Sequence, residues 1–329
     1  MTPFGEMADG REVHAISLTS DQVSARILTY GAILNDVRLA GIAYPLTLGS
    51  PDLAAYEGPM ASFGSLMGPV VNRIRDARAD IAGRDYQFEK NFEGAHTLHS
   101  GSTGSHHQIW QIAEQTAASV TLALDLPDGL GGFPGDRRVE VTYTVDDASL
   151  TMDVTARTNA PTLFSFANHS YWALDAEPGF SGHQLSIPAD SYLEAGPDLM
   201  PTGAEVAVAG TAYDARGGLD LAGDSRQFFD LNYCLARSDQ PMRPVAKLRG
   251  ASGVTMGMES TAPGLQVYDC GTIDAAGFAT HHGREYGRYA GLALEAQAWP
   301  GAIQHAHFPS ILHDASRPFR QTTRWSFGV

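Results

Sequence analysis

The sequence predicts an all-β fold, and two observations carry that prediction. Glycine (35 residues) and proline (18 residues) recur at short intervals along the 329 residues, which leaves little room for long helices and suits short strands joined by turns. Apolar residues also alternate with polar ones at a period of two in several runs. Because these runs follow one another without helical spacers, we expect a large antiparallel β-sandwich.

Individual strands can be justified in chain order. Alternating or largely apolar runs occupy residues 25–30, 120–126, 139–145, 150–156 and 292–297. The runs at 139–145 and 150–156 flank Asp146-Asp147, and this spacing predicts a β-hairpin. The chain shows no break in composition, no linker rich in glycine and serine, and no internal repeat. One domain spanning residues 1–329 is therefore predicted.

Charge and composition exclude several classes of function. The 37 acidic and 22 basic residues give a formal net charge of −15, without a basic stripe, so we expect neither nucleic acid nor an anionic membrane surface as a partner. The two cysteines, Cys234 and Cys270, suggest no disulfide framework and fit a reducing compartment. We see no signal peptide and no run of roughly 20 apolar residues, so a cytoplasmic location is expected.

The segment Asn168-His169-Ser170-Tyr171-Trp172 is the first candidate for chemistry. Histidine has an ordinary pKa near neutrality, so His169 can act as an acid or a base. The amide and the two aromatic side chains, Tyr171 among them, suit the hydroxyls and the C–H face of a sugar ring. A lone histidine at a strand end is more often structural, and it is the flanking residues that favour a site.

A second segment, Gly94 to Gly101, contains His96 and His99. Two residues three apart on a strand point to opposite faces, so the two histidines are not expected to enter one pocket together. The glycine that follows suggests a tight turn where the backbone can approach a ligand. A polar loop with two solvated histidines explains this segment equally well.

Two further positions offer groups that could hold sugar hydroxyls. Asn72-Arg73 presents several hydrogen-bond donors, although a surface ion pair would explain a single arginine as well. Asp230 lies among apolar residues, where an unpaired carboxylate is costly, so it needs partners. A turn aspartate is the alternative for Asp230.

Among the carboxylates, Glu295 is the strongest candidate for a catalytic base. Alternation places Glu295 on one face with Ala293, Gln297 and Trp299, which makes Trp299 a candidate sugar contact. Glutamate is seldom buried unless it is paired, and a desolvated carboxylate has a raised pKa and is a better base near neutral pH. The remaining histidines give no zinc-like spacing, and neither a P-loop nor a GxGxxG follows a strand, so no metal and no nucleotide cofactor is expected.

Together these segments resemble the aldose 1-epimerase (galactose mutarotase) family from about residue 10 to the C-terminus. The resemblance rests on Asn72-Arg73-Ile74, Leu98-His99-Ser100-Gly101, Gly132-Phe133-Pro134-Gly135, Asn168-His169-Ser170-Tyr171-Trp172, Phe229-Asp230-Leu231-Asn232, Leu294-Glu295-Ala296-Gln297 and Phe308-Pro309-Ser310, in this order. It implies a large antiparallel β-sandwich of the galactose mutarotase type and no cofactor. We further expect a small monosaccharide as substrate and a monomer or homodimer.

The resemblance also implies roles for individual residues. Glu295 resembles the general base and His169 the general acid, with His99 assisting. Asn72, Arg73 and Asp230 resemble residues that hold the sugar hydroxyls. Departures from the family pattern lie at Ser100, Trp172, Leu231, Gly301 and Gln304, and in the region that follows Gln266-Val267-Tyr268.

Three other functions remain as alternatives from the sequence. A hexose-6-phosphate 1-epimerase would need additional cationic residues around its pocket. A non-catalytic carbohydrate-binding protein would need the aromatic residues and Arg73 but no pair of histidine and glutamate. A glycoside hydrolase could use Asp230 and Glu295 as its two carboxylates.

Overall fold

The structure is a computed structural model that describes residues 1–329, and its strands are numbered β1 to β27 in chain order. The largest sheet is antiparallel and has nine strands. Their order across the sheet is β10 (Gln111–Gln115), β11 (Ser119–Leu126), β12 (Arg137–Asp146), β13 (Ser149–Thr158), β27 (Phe319–Gly328), β23 (Thr255–Ser260), β22 (Arg243–Arg249), β17 (Gln184–Ser186) and β20 (Leu219–Asp220).

The second large sheet is antiparallel and has six strands. Their order is β16 (Tyr171–Trp172), β25 (Leu292–Gln297), β24 (Gly264–Tyr268), β21 (Asp230–Cys234), β18 (Ser191–Ala195) and β19 (Pro201–Ala207). A four-stranded sheet at the N-terminus contains β1 (Thr2–Glu6), β2 (Glu12–Thr19), β3 (Val23–Leu28) and β4 (Leu34–Leu39).

Short elements complete the fold. Four strand pairs are β5 (Leu66–Met67) with β15 (Ala167–Asn168), β6 (Arg73–Ile74) with β9 (Thr97–Leu98), β7 (Arg78–Ile81) with β8 (Arg84–Gln87), and β14 (Thr162–Leu163) with β26 (Leu312–His313). The helical turns are α1 (Leu53–Tyr56) and four 3₁₀ turns at Arg75–Ala77, Gly101–Thr103, Ser105–His107 and Leu130–Gly132. None of these helices has the length and apolar character that a membrane span requires.

The predicted hairpin between residues 139–145 and 150–156 is confirmed. Strands β12 and β13 pair in antiparallel register from Arg137 opposite Thr158 to Asp146 opposite Ser149. The two turn residues are 147 and 148, one position later than the sequence suggested, and Asp147 has a left-handed φ of 47°. Aspartate tolerates this conformation better than most residues.

The core lies between the large sheets, as the alternating runs predict. A cluster of 53 buried residues draws on the nine-stranded, the six-stranded and the four-stranded sheets. Trp172 of β16 and Trp325 of β27 meet across it with ring centroids 5.7 Å apart. Burial of a large apolar side chain contributes about 1.5–3 kcal/mol, so this layer fixes how the two sheets face each other. The predicted antiparallel β-sandwich is confirmed.

Strand β25 carries the core on one face and polar groups on the other. Leu292, Leu294 and Ala296 belong to the main cluster, whereas Glu295 and Gln297 point to the opposite face and are buried there as well. The outer face of the six-stranded sheet therefore presents a buried carboxylate away from the apolar core.

Candidate active site

Strand register assembles a polar row on the outer face of the six-stranded sheet. Tyr171 pairs with Ala293, Ala293 with Tyr268, and Tyr268 with Asp230. Cross-strand partners share a face of the sheet, so four strands bring these side chains together. The arrangement places residues from positions 171 to 293 side by side.

A second row lies one step along the same strands. Glu295 pairs with Gln266, and Gln266 pairs with Asn232. Because side chains alternate along a strand, residues two apart share a face, and Gln266 therefore lies on the same face as Tyr268. The sheet face thus presents a carboxylate beside an amide.

Above these rows lies a cleft of about 680 Å³, a volume within the range of about 300–1,000 Å³ that is usual for small-molecule sites. Seven of the eight residues predicted from the sequence line it. They are Asn72, Arg73, His99, His169, Tyr171, Asp230 and Glu295. The structure therefore brings together residues that are scattered over more than 220 positions of the chain.

The opposing wall is built by β6 and β9, which position Asn72 and His99. The His99 backbone N–H donates to the Asn72 carbonyl over 3.0 Å, and the Asn72 backbone N–H donates to His99 Nδ1 over 3.1 Å. Since Nδ1 accepts this bond, the proton of the neutral ring is on Nε2. His99 therefore offers a hydrogen-bond donor rather than a second base.

The turn after β9 has an unusual backbone that aims the His99 ring. His99, Ser100 and Gly101 have φ values of 52°, 66° and 69°, all left-handed. Ser100, one of the departures from the family pattern, is supported by its hydroxyl, which accepts from the Val70 N–H over 2.9 Å and donates to the Val70 carbonyl over 3.0 Å. These bonds offset the steric cost of a side chain in this conformation.

Arg73 and Asp230 form an ion pair inside the cleft. Their closest atoms, Nη2 and Oδ2, are 2.8 Å apart, and Gln266 Nε2 donates to the other carboxylate oxygen, Oδ1, over 2.7 Å. The Arg73 guanidinium also lies 4.8 Å from the centroid of the Phe92 ring. Asp230 thus has the partners that its apolar surroundings require. Contacts with Gln266 and Phe92 hold the two members of the ion pair in place.

His169 and Glu295 form a buried histidine–carboxylate pair at the floor of the cleft. Nε2 of His169 lies 3.5 Å from Oε1 of Glu295, with side chains only 6% and 2% exposed. Nδ1 of His169 and Oε2 of Glu295 have no protein hydrogen-bond partner. Buried polar atoms are normally satisfied, so each of these two has capacity for one further hydrogen bond.

Burial shifts the pKa values of the pair in opposite directions. Desolvation lowers the pKa of His169 to about 4. Desolvation, helped by the charge of Asp230, raises the pKa of Glu295 well above its usual value, while Arg73 opposes this. The pKa of His99 is also lowered, first by burial and then by the nearby His169, His106 and Arg73. Both imidazoles are therefore neutral at pH 7.

One sequence interpretation changes with the structure, and one is confirmed. Trp299 does not line the cleft. It lies beyond the end of β25, where its indole N–H donates to the Pro263 carbonyl over 2.9 Å and its ring packs on Phe308. Alternation stops where the strand stops, so Trp299 is a packing residue. His96 is separated from His99 as expected, since its Nδ1 accepts from the Asp76 N–H.

Sequence reasoning missed several residues of the site. Gln266, Tyr268, Phe92 and Phe228 line the cleft, and Phe228 is unusual because it is 52% exposed. The alternation of Gln266 with Tyr268 on one strand was a usable signal for these two. No group of three or more His, Cys, Asp or Glu side chains is arranged to hold a metal ion.

A β-sandwich with a buried histidine–glutamate pair at the floor of a polar cleft has the organisation of a carbohydrate isomerase. Residues 14–326 match the model of the family described as aldose 1-epimerase. The chain belongs to this family and is an enzyme of the isomerase class.

Similar proteins support this assignment over the full length. Galactose mutarotase from Mus musculus is 32% identical over 338 residues, covering 100% of this chain and 98% of its own. Galactose mutarotase from Homo sapiens is 31% identical, with coverage of 99% and 97%. The crystal structure of an aldose epimerase homologue from C. elegans superposes with a TM-score of 0.89 at 26% identity and covers 96% of this chain and 99% of that one. The fold is therefore of the galactose mutarotase type.

Proposed function

We propose that this enzyme interconverts the α and β anomers of a free, unphosphorylated aldose, with Glu295 as general base and His169 as general acid. The observation that carries the proposal is the buried pair of His169 and Glu295, 3.5 Å apart, in a cleft lined by hydrogen-bonding groups. Ring opening needs one group to remove a proton and another to supply one, and a positioned pair can do both.

The reaction is a proton-coupled ring opening. Glu295 takes the proton of the C1 hydroxyl, the C1–O bond to the ring oxygen breaks, and C1 becomes a carbonyl. The electron pair of the broken bond stays on the ring oxygen, which takes a proton from His169. Rotation about C1–C2 exposes the other face of the aldehyde, and the same groups run in reverse to close the ring. No atom is gained or lost.

The pair needs one proton in total for this chemistry. Burial favours that proton on Glu295, because it raises the pKa of the carboxyl group and lowers that of the imidazole. The reactive arrangement has the proton on His169, and Arg73 favours it because its charge lowers the pKa of Glu295. Once formed, the charged pair combines a strong base with a strong acid.

The charge of the cleft favours a neutral sugar over a sugar phosphate. Its acidic lining residues are Glu93, Asp230, Asp274 and Glu295, against one cationic residue, Arg73. That guanidinium is already paired with Asp230. Phosphate recognition normally uses unpaired arginines or lysines, and the lining offers none. The hexose-6-phosphate alternative is therefore disfavoured.

Polarimetry on freshly dissolved sugar tests the proposal. We expect the enzyme to accelerate the approach to rotational equilibrium of α-D-galactose, the first choice because the relatives are named galactose mutarotases, and of α-D-glucose. Glucose 6-phosphate should be a poor substrate. Binding without acceleration would indicate a carbohydrate-binding protein, and release of reducing ends from an aryl glycoside would indicate a hydrolase. Preference for the phosphorylated sugar would overturn the assignment of substrate class.

A further inference from the structure

Asp269 is a buried carboxylate that the proposed mechanism does not use. It follows directly after β24, is 1% exposed, and does not line the cleft. Its carboxylate has no cationic partner among the ion pairs of the structure, and burial raises its pKa. Burying an acidic group in this way is costly, and hydrogen bonds to the two carboxylate oxygens offset that cost.

The two oxygens of Asp269 hold two different segments of the chain. Oδ2 accepts from the Phe229 backbone N–H over 2.9 Å, and Oδ1 accepts from the Gly271 backbone N–H over 2.9 Å. The Asp269 backbone N–H donates in turn to the Phe229 carbonyl over 2.9 Å. The side chain therefore extends the ladder between β21 and β24 by one step beyond its last pair, Asp230 with Tyr268.

Both segments form walls of the cleft. Phe229 lies between Phe228 and Asp230, which line it, and Gly271 precedes the lining residues Thr272, Ile273 and Asp274. The bond to Gly271 also spans Cys270, whose left-handed φ of 61° is rare for a residue that is not glycine. A side chain bonded to the backbone two residues ahead stabilises such a turn.

We propose that Asp269 is a positioning residue that sets the sugar-binding walls of the cleft, holding Asp230 on one side and the segment after Cys270 on the other. This inference rests on the proposed function, because it assigns Asp269 a role in binding the same sugar. It also explains why an acid is needed here. Asparagine has one acceptor oxygen, and its amide N–H₂ would face one of the two backbone N–H donors.

Kinetics of Asp269→Asn test the proposal. We expect KM for galactose to rise about tenfold, because the hydroxyl-binding groups shift, while kcat stays within about twofold, because His169 and Glu295 are held by other strands. An unchanged KM in a folded Asp269→Asn protein would overturn the proposal, even if its Tm were lower.

Asp175→Asn provides a matched control. Asp175 also binds two backbone N–H groups, those of Ala251 over 3.0 Å and Ser252 over 2.8 Å, but it does not line the cleft. Its variant should lose the same kind of bonds and leave KM unchanged. A similar rise in KM for both variants would mean that KM reports general destabilisation, and the proposal would fail.

A second variant keeps the test decisive if Asp269→Asn does not fold. A Cβ atom at Gly271 would lie 2.8 Å from Asp269 Oδ1, so Gly271→Ala should displace the carboxylate without removing it. We expect a smaller rise in KM, and an unchanged KM would overturn the proposal. If the wild-type enzyme does not accelerate mutarotation, the proposed function fails instead, and galactose dissociation constants of the same variants then decide the role of Asp269.

Discussion

Arg73 and Asp230 are 157 positions apart in the chain, yet Nη2 and Oδ2 of this pair lie 2.8 Å apart. The two side chains are only 10% and 9% exposed, so each is the main compensation for the other's burial. The pair also joins the two walls of the cleft, since Arg73 belongs to β6 and Asp230 to β21. The ion pair therefore holds the two walls of the cleft at a fixed distance from each other.

Removing either partner should weaken both sugar binding and stability. We expect Arg73→Ala and Asp230→Ala each to raise KM and to lower the free energy of unfolding by about 3 kcal/mol, because a charge is left unpaired in the cleft. The loss of unfolding free energy in the double variant should be smaller than the sum of the two single losses, and the difference should be at least about 1 kcal/mol. Urea unfolding and polarimetric kinetics measure these effects, and simple additivity would contradict the pairing argument.

Removing the Glu295 carboxylate, the proposed base, should slow the chemistry strongly while binding survives. We expect Glu295→Gln to lower kcat by about 10²–10⁴-fold with galactose affinity close to that of the wild type, because glutamine keeps the shape but cannot take the proton. Trp299→Phe is a suitable control, since the structure places Trp299 outside the cleft. A Glu295→Gln enzyme that mutarotates galactose at the wild-type rate would refute the base assignment.

The pH dependence of kcat/KM should have an acid limb well below the ordinary histidine range. Under acidic conditions the pair gains a second proton, and the protonated Glu295 can no longer act as the base. Since burial lowers the pKa of His169 to about 4, we expect activity to fall as the pH drops towards about 4 rather than near 6.5. Rates measured from pH 4 to 9, with far-UV circular dichroism in the same buffers, test this. An acid limb near 6.5 would show that His169 titrates normally.

Stability should also fall between pH 6.5 and about 4. Burial lowers the pKa of eight of the twelve histidines. They are His99, His106, His107, His169, His183, His281, His282 and His313. Below the unfolded pKa of about 6.5, each of these histidines binds a proton in the unfolded chain but not in the folded one. Each therefore lowers the free energy of unfolding by about 1.4 kcal/mol for every pH unit of acidification.

Three carboxyl groups with raised pKa values act in the opposite sense but are fewer. They are Asp239, Asp269 and Glu295. Urea midpoints should therefore be lower at pH 5 than at pH 7, and His282→Gln should flatten this slope, because burial lowers the pKa of His282 to about 4. A midpoint independent of pH over this range would contradict the assignment of neutral buried histidines.

The single-domain organisation, the cytoplasmic location, the absence of a cofactor and the oligomeric state remain predictions from the sequence. The roles of individual site residues are proposals as well. The structure places seven of the eight residues predicted from the sequence in one cleft.

The sequence alone determined the features that depend on local pattern. Alternation along residues 292–297 predicted both a strand and a polar face carrying Glu295, because side chains of a strand alternate whatever its neighbours are. Tertiary structure decided everything that depends on strand register. It placed Gln266 opposite Glu295, joined Arg73 to Asp230 and left Trp299 outside the cleft, since pairings between distant segments are set by how the whole core packs and by no local signal.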